Sequence, residues 1–132
     1  MITLSTAHAA SRAEAALQAT LVRFNAGATG ALLALYSSVR PASGAAAGGP
    51  VMATFTFAKP AGTIASGILT LAAVADVLIM ESGIALWGRI TVAGFHEMDV
   101  SVSDPAGAGT IKLSTTQLYA GGTLRLSSGL FA

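Results

Sequence analysis

The chain has 132 residues, the length of one domain, and a net charge of +1 from seven basic and six acidic residues. The basic residues are scattered (Arg12, Arg23, Arg40, Lys59, Arg89, Lys112, Arg125), which argues against a surface that tracks a nucleic-acid phosphate backbone. There is no Cys, so a disulfide framework and a thiolate metal site are excluded.

Only 10% of residues are charged, and 53% are hydrophobic, against about 25% charged in ordinary soluble domains. So few charges leave little polar material to solvate a monomer's surface. Either a membrane or other subunits must cover it. A membrane-spanning helix needs about 20 apolar residues in a row. The uncharged run from Pro60 to Ala75 is short and carries Gly62 and Gly67, and the run from Pro41 to Ala58 is rich in Pro and Gly. Arg12 and Glu14 interrupt what would be the apolar stretch of a secretory signal. The composition therefore points to burial against other subunits, as a homo-oligomer or part of a larger assembly, with no membrane and no nucleic acid as partner.

In chain order, TAHAASRAEAALQATLVRF predicts a helix, because it lacks Gly and Pro and is rich in Ala. Thr6 is a candidate cap, and Ser11 to Glu14 offers a second, capping-box start. Leu17, Leu21 and Phe24 follow i, i+4, i+7 spacing and mark one apolar stripe. Asn25 and Gly27 end the helix. Residues 1–27 are thus read as a helix or arm, and 28–132 as a β domain, within one structural unit.

After Gly30 the period changes to two. ALLALYSS is a short apolar strand. PVMATFTF alternates, with Val51, Ala53, Phe55 and Phe57 on one face and Met52, Thr54 and Thr56 on the other. ILTLA, ALWGRITV, MDVSVS, TIKLS and TLRLSS continue the series. Segments such as PASGAAAGGP, KPAGTIASG, DPAGAG and AGG punctuate it. This predicts a mainly β fold: an antiparallel β-sandwich or jelly roll of seven or eight strands with one N-terminal helix. Pro41 to Pro50 reads as a loop of small residues, or an arm that orders against a neighbour.

The signals for catalysis are weak. A zinc site without Cys would need both His8 and His96 plus a carboxylate, and these lie in a helix and a hairpin with no HExxH spacing. No GxSxG and no P-loop occur, and GAGTIK at Gly107 to Lys112 lacks the third Gly of GxGxxG. With few aromatics, a base-stacking platform is not expected. HEMD, from His96 to Asp99, concentrates titratable groups. Strand parity puts His96 and Met98 on one face and Glu97 and Asp99 on the other. Met98, Val100 and Val102 are then the inward set, and Arg89 is the expected cross-strand partner of the acids. Trp87 reads as core or as an interface anchor.

Several short stretches carry a resemblance. An Ala-rich helix leads into Tyr36, Pro41 and Ala42. Next come Pro60, Ala61, Gly67 and Leu69 to Leu71, then Ser82, Gly83, Ala85, Trp87 and Arg89. Gly94, Asp99, Ser101, Val102 and Gly122 follow. In order and type these resemble a group of small tailed-bacteriophage virion structural proteins. Ile84 within SGIA, and His96 and Glu97 before Asp99, depart from that pattern. The resemblance implies a non-enzymatic virion protein, most simply a head decoration (cement) protein that stabilises the shell. It would be assembled in the bacterial host's cytoplasm, without a cofactor, and would contact the major capsid protein or other virion subunits. A tail-tip, baseplate or fibre-attachment component, and a receptor- or carbohydrate-binding β-sandwich, are the alternatives. Leu17, Leu21, Phe24, Trp87, Arg89, Glu97 and Asp99 are the candidate interface residues; no catalytic or metal-binding residue is assigned.

Overall fold

A computed structural model describes residues 1–42 and 44–132. The helix α1 spans Thr6–Phe24. Its cap is Ser5, not Thr6 or Ser11: Ser5 holds an extended backbone (φ −64°, ψ 158°), and its Oγ accepts a hydrogen bond from His8 N at 3.2 Å. A cap must stand just outside the first helical residue, and Ser11 already lies within the helix. Residues 6–16 are all exposed, and contact with the body begins at Leu17, which is buried. The predicted stripe is the anchor: Leu17 and Phe24 are buried, and Leu21 packs half-buried on the core.

Among the described residues twelve strands follow. They are β1 (Leu32–Tyr36), β2 (Ala53–Thr56), β3 (Gly62–Ala65), β4 (Ile68–Leu71), β5 (Val77–Leu78) and β6 (Gly83–Ile84). The rest are β7 (Trp87–Val92), β8 (Phe95–Ser103), β9 (Ile111–Leu113), β10 (Gln117–Leu118), β11 (Thr123–Leu124) and β12 (Leu126–Phe131). Eight form one sheet in the order β2-β1-β7-β8-β9-β12-β4-β3, while β6–β10 and β5–β11 are separate two-stranded ribbons.

The fold is therefore mainly β with one helix, but the sheet is mixed, not purely antiparallel. β8 and β9 run parallel through Val102↔Ile111 and Ser103↔Lys112. Parallel neighbours ordinarily need a long crossover. Here the turn after β8 brings the chain back directly: Asp104 Oδ1 accepts from Ala106 N and Gly107 N, Ser103 Oγ from Gly109 N, and Ser101 Oγ from Thr110 N.

The sheet curls. Seven strand spacings of about 4.8 Å would put the edges of a flat eight-stranded sheet roughly 34 Å apart. The edge strands β2 and β3 are joined by the short segment between Thr56 and Gly62, whose six residue steps reach at most about 21 Å. The Phe24 ring fits the same geometry. It packs edge-on against Phe57, just beyond β2, and Phe131 on β12, with centroids 5.7 and 5.6 Å away. The helix end thus plugs the space that curling closes around. Asn25 Oδ1 accepts from Ala61 N at 2.9 Å, and Lys59 Nζ donates to the carbonyl of Gly27, tying the end of the helix to the β2–β3 connection.

Alternation along the strands sets the inner face. Leu33, Leu35, Ala53, Phe55, Ile90 and Val100 are buried in one core. Two expectations for PVMATFTF fail just outside β2. Met52 is buried and Val51 is exposed, because Met52 donates to Leu35 O and its own carbonyl accepts from Met80 N. KPAGTIASG is not merely punctuation. Its Gly62–Ala65 forms β3, and Ser66–Gly67 (φ 51° and 75°) makes a two-residue turn into β4.

A polar cluster on the β7–β8 hairpin

β7 and β8 are joined by Ala93–Gly94, with φ of 52° and 84°. Positive φ at both turn residues is the arrangement that matches strand twist in tight hairpins. The register runs Trp87↔Ser101, Gly88↔Val100, Arg89↔Asp99 and Ile90↔Met98, then shifts to Thr91↔His96 and Val92↔Phe95. Glu97 is thus the extra residue of a β-bulge.

The bulge corrects the parity argument. In a regular strand His96 and Asp99 would point to opposite faces. With Glu97 inserted, His96 Nε2 comes to 3.2 Å from Asp99 Oδ1. Arg89 meets Asp99 across the strands as expected: Nε donates to Oδ1 at 2.8 Å and Nη2 to Oδ2 at 3.1 Å. Glu97 does not join Asp99. It accepts from Arg23 of the helix, Nη2 to Oε1 at 2.8 Å and Nε to Oε2 at 3.1 Å. The two acids that a regular strand places side by side are divided between the neighbouring strand and the helix.

The surroundings set the charge states. The Asp99 side chain is 8% exposed and that of Arg89 12%. The hydrogen bond from Arg89 holds the Asp99 carboxyl below its ordinary range, against the opposing effect of burial, and the guanidinium's charge and His96 add to the lowering. The hydrogen bond to Asp99 correspondingly raises Arg89. A carboxylate held this firmly in its charged form is a poor proton acceptor near neutral pH. Among the described residues no three His, Cys, Asp or Glu side chains come together to hold a metal ion. The arrangement is chemically suited to fixing the hairpin and the helix.

Trp87 lies on the Arg89 side of β7. Its ring stacks on Tyr36, its cross-strand partner, at 4.7 Å and 18°. Its Nε1 donates to Ser38 O at 2.9 Å, and the Arg89 guanidinium carbon sits 5.3 Å from its ring centre. Trp87 is 1% exposed yet stands apart from the main core cluster. Of the candidate interface residues, Leu17, Phe24 and Trp87 are almost wholly buried within the chain itself. Leu21, Arg89, Glu97 and Asp99 are partly buried in contacts of the same chain.

Sequence reasoning missed Tyr36, Arg23 and Arg40 as members of this region. Arg40 lines both concavities beside Asp99. Pairings that depend on strand register or on the position of a helix leave no local spacing signal. No helix among the described residues is long and apolar enough to cross a membrane. No protein-family model, curated protein or solved structure matches the chain.

Proposed function

We propose that the protein is a non-enzymatic virion structural subunit of a tailed bacteriophage, most simply a head decoration protein that joins neighbouring capsid subunits. The observation that carries the assembly part of this reading is an array of exposed large apolar side chains on two hydrogen-bonded segments. Leu78, Met80, Ile84, Leu86 and Tyr119 are all more than half exposed, while Ile79 and Ala85 between them are buried. The segments are joined by Gly121 N to Ile79 O, Ala120 N to Ser82 Oγ, and the β6–β10 pairing. Exposed apolar surface of this kind marks interaction sites. Placement in a phage particle, against the major capsid protein or other virion subunits, rests on the sequence resemblance and on the low charge content. The matching fold reading is a jelly-roll-like sandwich in which the halves of the curled sheet face each other.

A tail component would use the same surface, and copy number separates the two. Quantifying the protein in purified particles tests the proposal: a number close to that of the major capsid protein supports decoration, and a few copies per particle supports a tail role. Absence from particles overturns both.

A further inference from the structure

We propose that the concavity between Arg40 and the β8–β9 turn binds a small monocarboxylate with an apolar body. The site lies within one chain and is independent of the assembly reading.

Two hollows adjoin there. One, of about 360 Å³, is lined by Leu17 of the helix, Ser101 of β8, Thr110 and Phe131. The other, of about 420 Å³, runs along His96 and Glu97. Arg40, Met98 and Asp99 line both. Hollows of this size suit small ligands. Arg40 belongs to the segment after β1, which is held at Ser38, whose carbonyl accepts from Trp87 Nε1 at 2.9 Å.

The charges decide what fits. Both oxygens of Glu97 accept from Arg23. Asp99 Oδ1 accepts from Arg89 and lies 3.2 Å from His96 Nε2, and Oδ2 accepts from Arg89. Each acid beside the hollows is thus already matched by its own guanidinium. Arg40 joins none of the ion pairs among the described residues. Three guanidinium groups against two carboxylates leave one positive charge, and it sits at Arg40. The Ser101 hydroxyl adds a donor to the same hollow. Its Oγ accepts from Thr110 N at 3.1 Å, and none of the hydrogen bonds among the described residues uses its proton.

A guanidinium fork matches the two oxygens of a carboxylate. A phosphate monoester carries nearly two charges near neutral pH, more than one free guanidinium balances, and Asp99 and Glu97 stand alongside to repel the excess. Leu17, Met98 and Phe131 add hydrocarbon to the wall. Apolar walls with a few convergent polar groups are the usual make-up of a small-molecule site.

Hexanoate is the probe, titrated into the full chain and followed by amide and arginine side-chain NMR shifts. The expected dissociation constant is on the order of 1 mM, with shifts centred on Arg40, Ser101 and Thr110. Hexanamide has the same shape and no charge, and should bind about tenfold more weakly. Arg40→Gln should weaken hexanoate by about the same factor. Arg40 is exposed, so that variant should keep the wild-type melting temperature. Inorganic phosphate at equal concentration should leave hexanoate in place. Equal affinity for hexanamide, unchanged binding in Arg40→Gln, displacement by phosphate, or no shifts at tens of millimolar hexanoate each overturns the site.

Discussion

Arg89 and Asp99 face each other in register across β7 and β8, joined by two hydrogen bonds of 2.8 and 3.1 Å, with both side chains largely shielded from water. Breaking such a pair from one side leaves a shielded charge without its partner. Arg89→Ala should therefore cost about 3 kcal/mol in chemical denaturation. The double replacement Arg89→Met with Asp99→Leu should cost less than either single change, because no charge is left behind. Additive single effects would show that the pair is not coupled. By contrast Arg23, whose side chain is 67% exposed, forms an ion pair with Glu97 that water screens, so its loss should matter far less.

The same pair sets an acid limit. The Asp99 carboxyl is held below its ordinary value, so its charged form is favoured by folding. The stabilisation is complete above the unfolded-chain value of about 3.9 and is lost as pH falls through the lower folded value. Thermal unfolding followed from pH 6 to pH 2 should show the melting temperature falling below about pH 4. In Asp99→Asn the decline should be shallower, since that variant has no charge there to lose. Parallel curves for the two proteins would remove Asp99 as the cause.

Phe24 is fully buried between Phe57 and Phe131, with edge-on ring contacts on both sides. Truncation to Ala should cost about 4 kcal/mol, a large part of an ordinary domain's stability. Hydrogen exchange should then rise in α1 and also in the β2–β3 connection, because the ring bridges them. A change confined to the helix would argue against the plug.

Ala93 holds φ at 52° in the β7–β8 turn, ahead of Gly94. A left-handed backbone costs an Ala roughly 1 kcal/mol, and Asn tolerates it better. Ala93→Asn creates the Asn-Gly pair favoured in this turn and should raise stability by about 0.5 kcal/mol, read as a higher denaturation midpoint with unchanged slope. A lower midpoint would mean that the Asn side chain is not accommodated beside the bulge.

Local order was legible in the residues. The 19-residue helix follows from Ala content and the absence of Gly and Pro, and its anchors follow from helical spacing. Alternation in ATFT gave its buried face correctly, because a strand's period of two needs no partner to be visible. The β3–β4 hairpin was missed although Ser66–Gly67 is a turn signal, because the Gly and Pro around GTIA masked a short strand. TLRLSS, read as one strand, divides at Arg125 into β11 and β12. The carbonyl of Arg125 accepts from Ser114 N, and the β12–β9 register shifts just afterwards.

One helix, many short strands, a low charge content and Arg89 as the cross-strand partner of the acids can all be read from the residues alone. The remaining features depend on contacts between elements. HEMD is a bulged strand, and one inserted residue turns His96 toward Asp99 and leaves Glu97 to the helix. Parity holds only while register is regular, and register is fixed by the partner strand. The curl of the sheet and the β1–β7 and β12–β4 pairings are likewise relations between segments distant in the chain. They follow from how β-rich segments close around Phe24, which no window of the sequence contains.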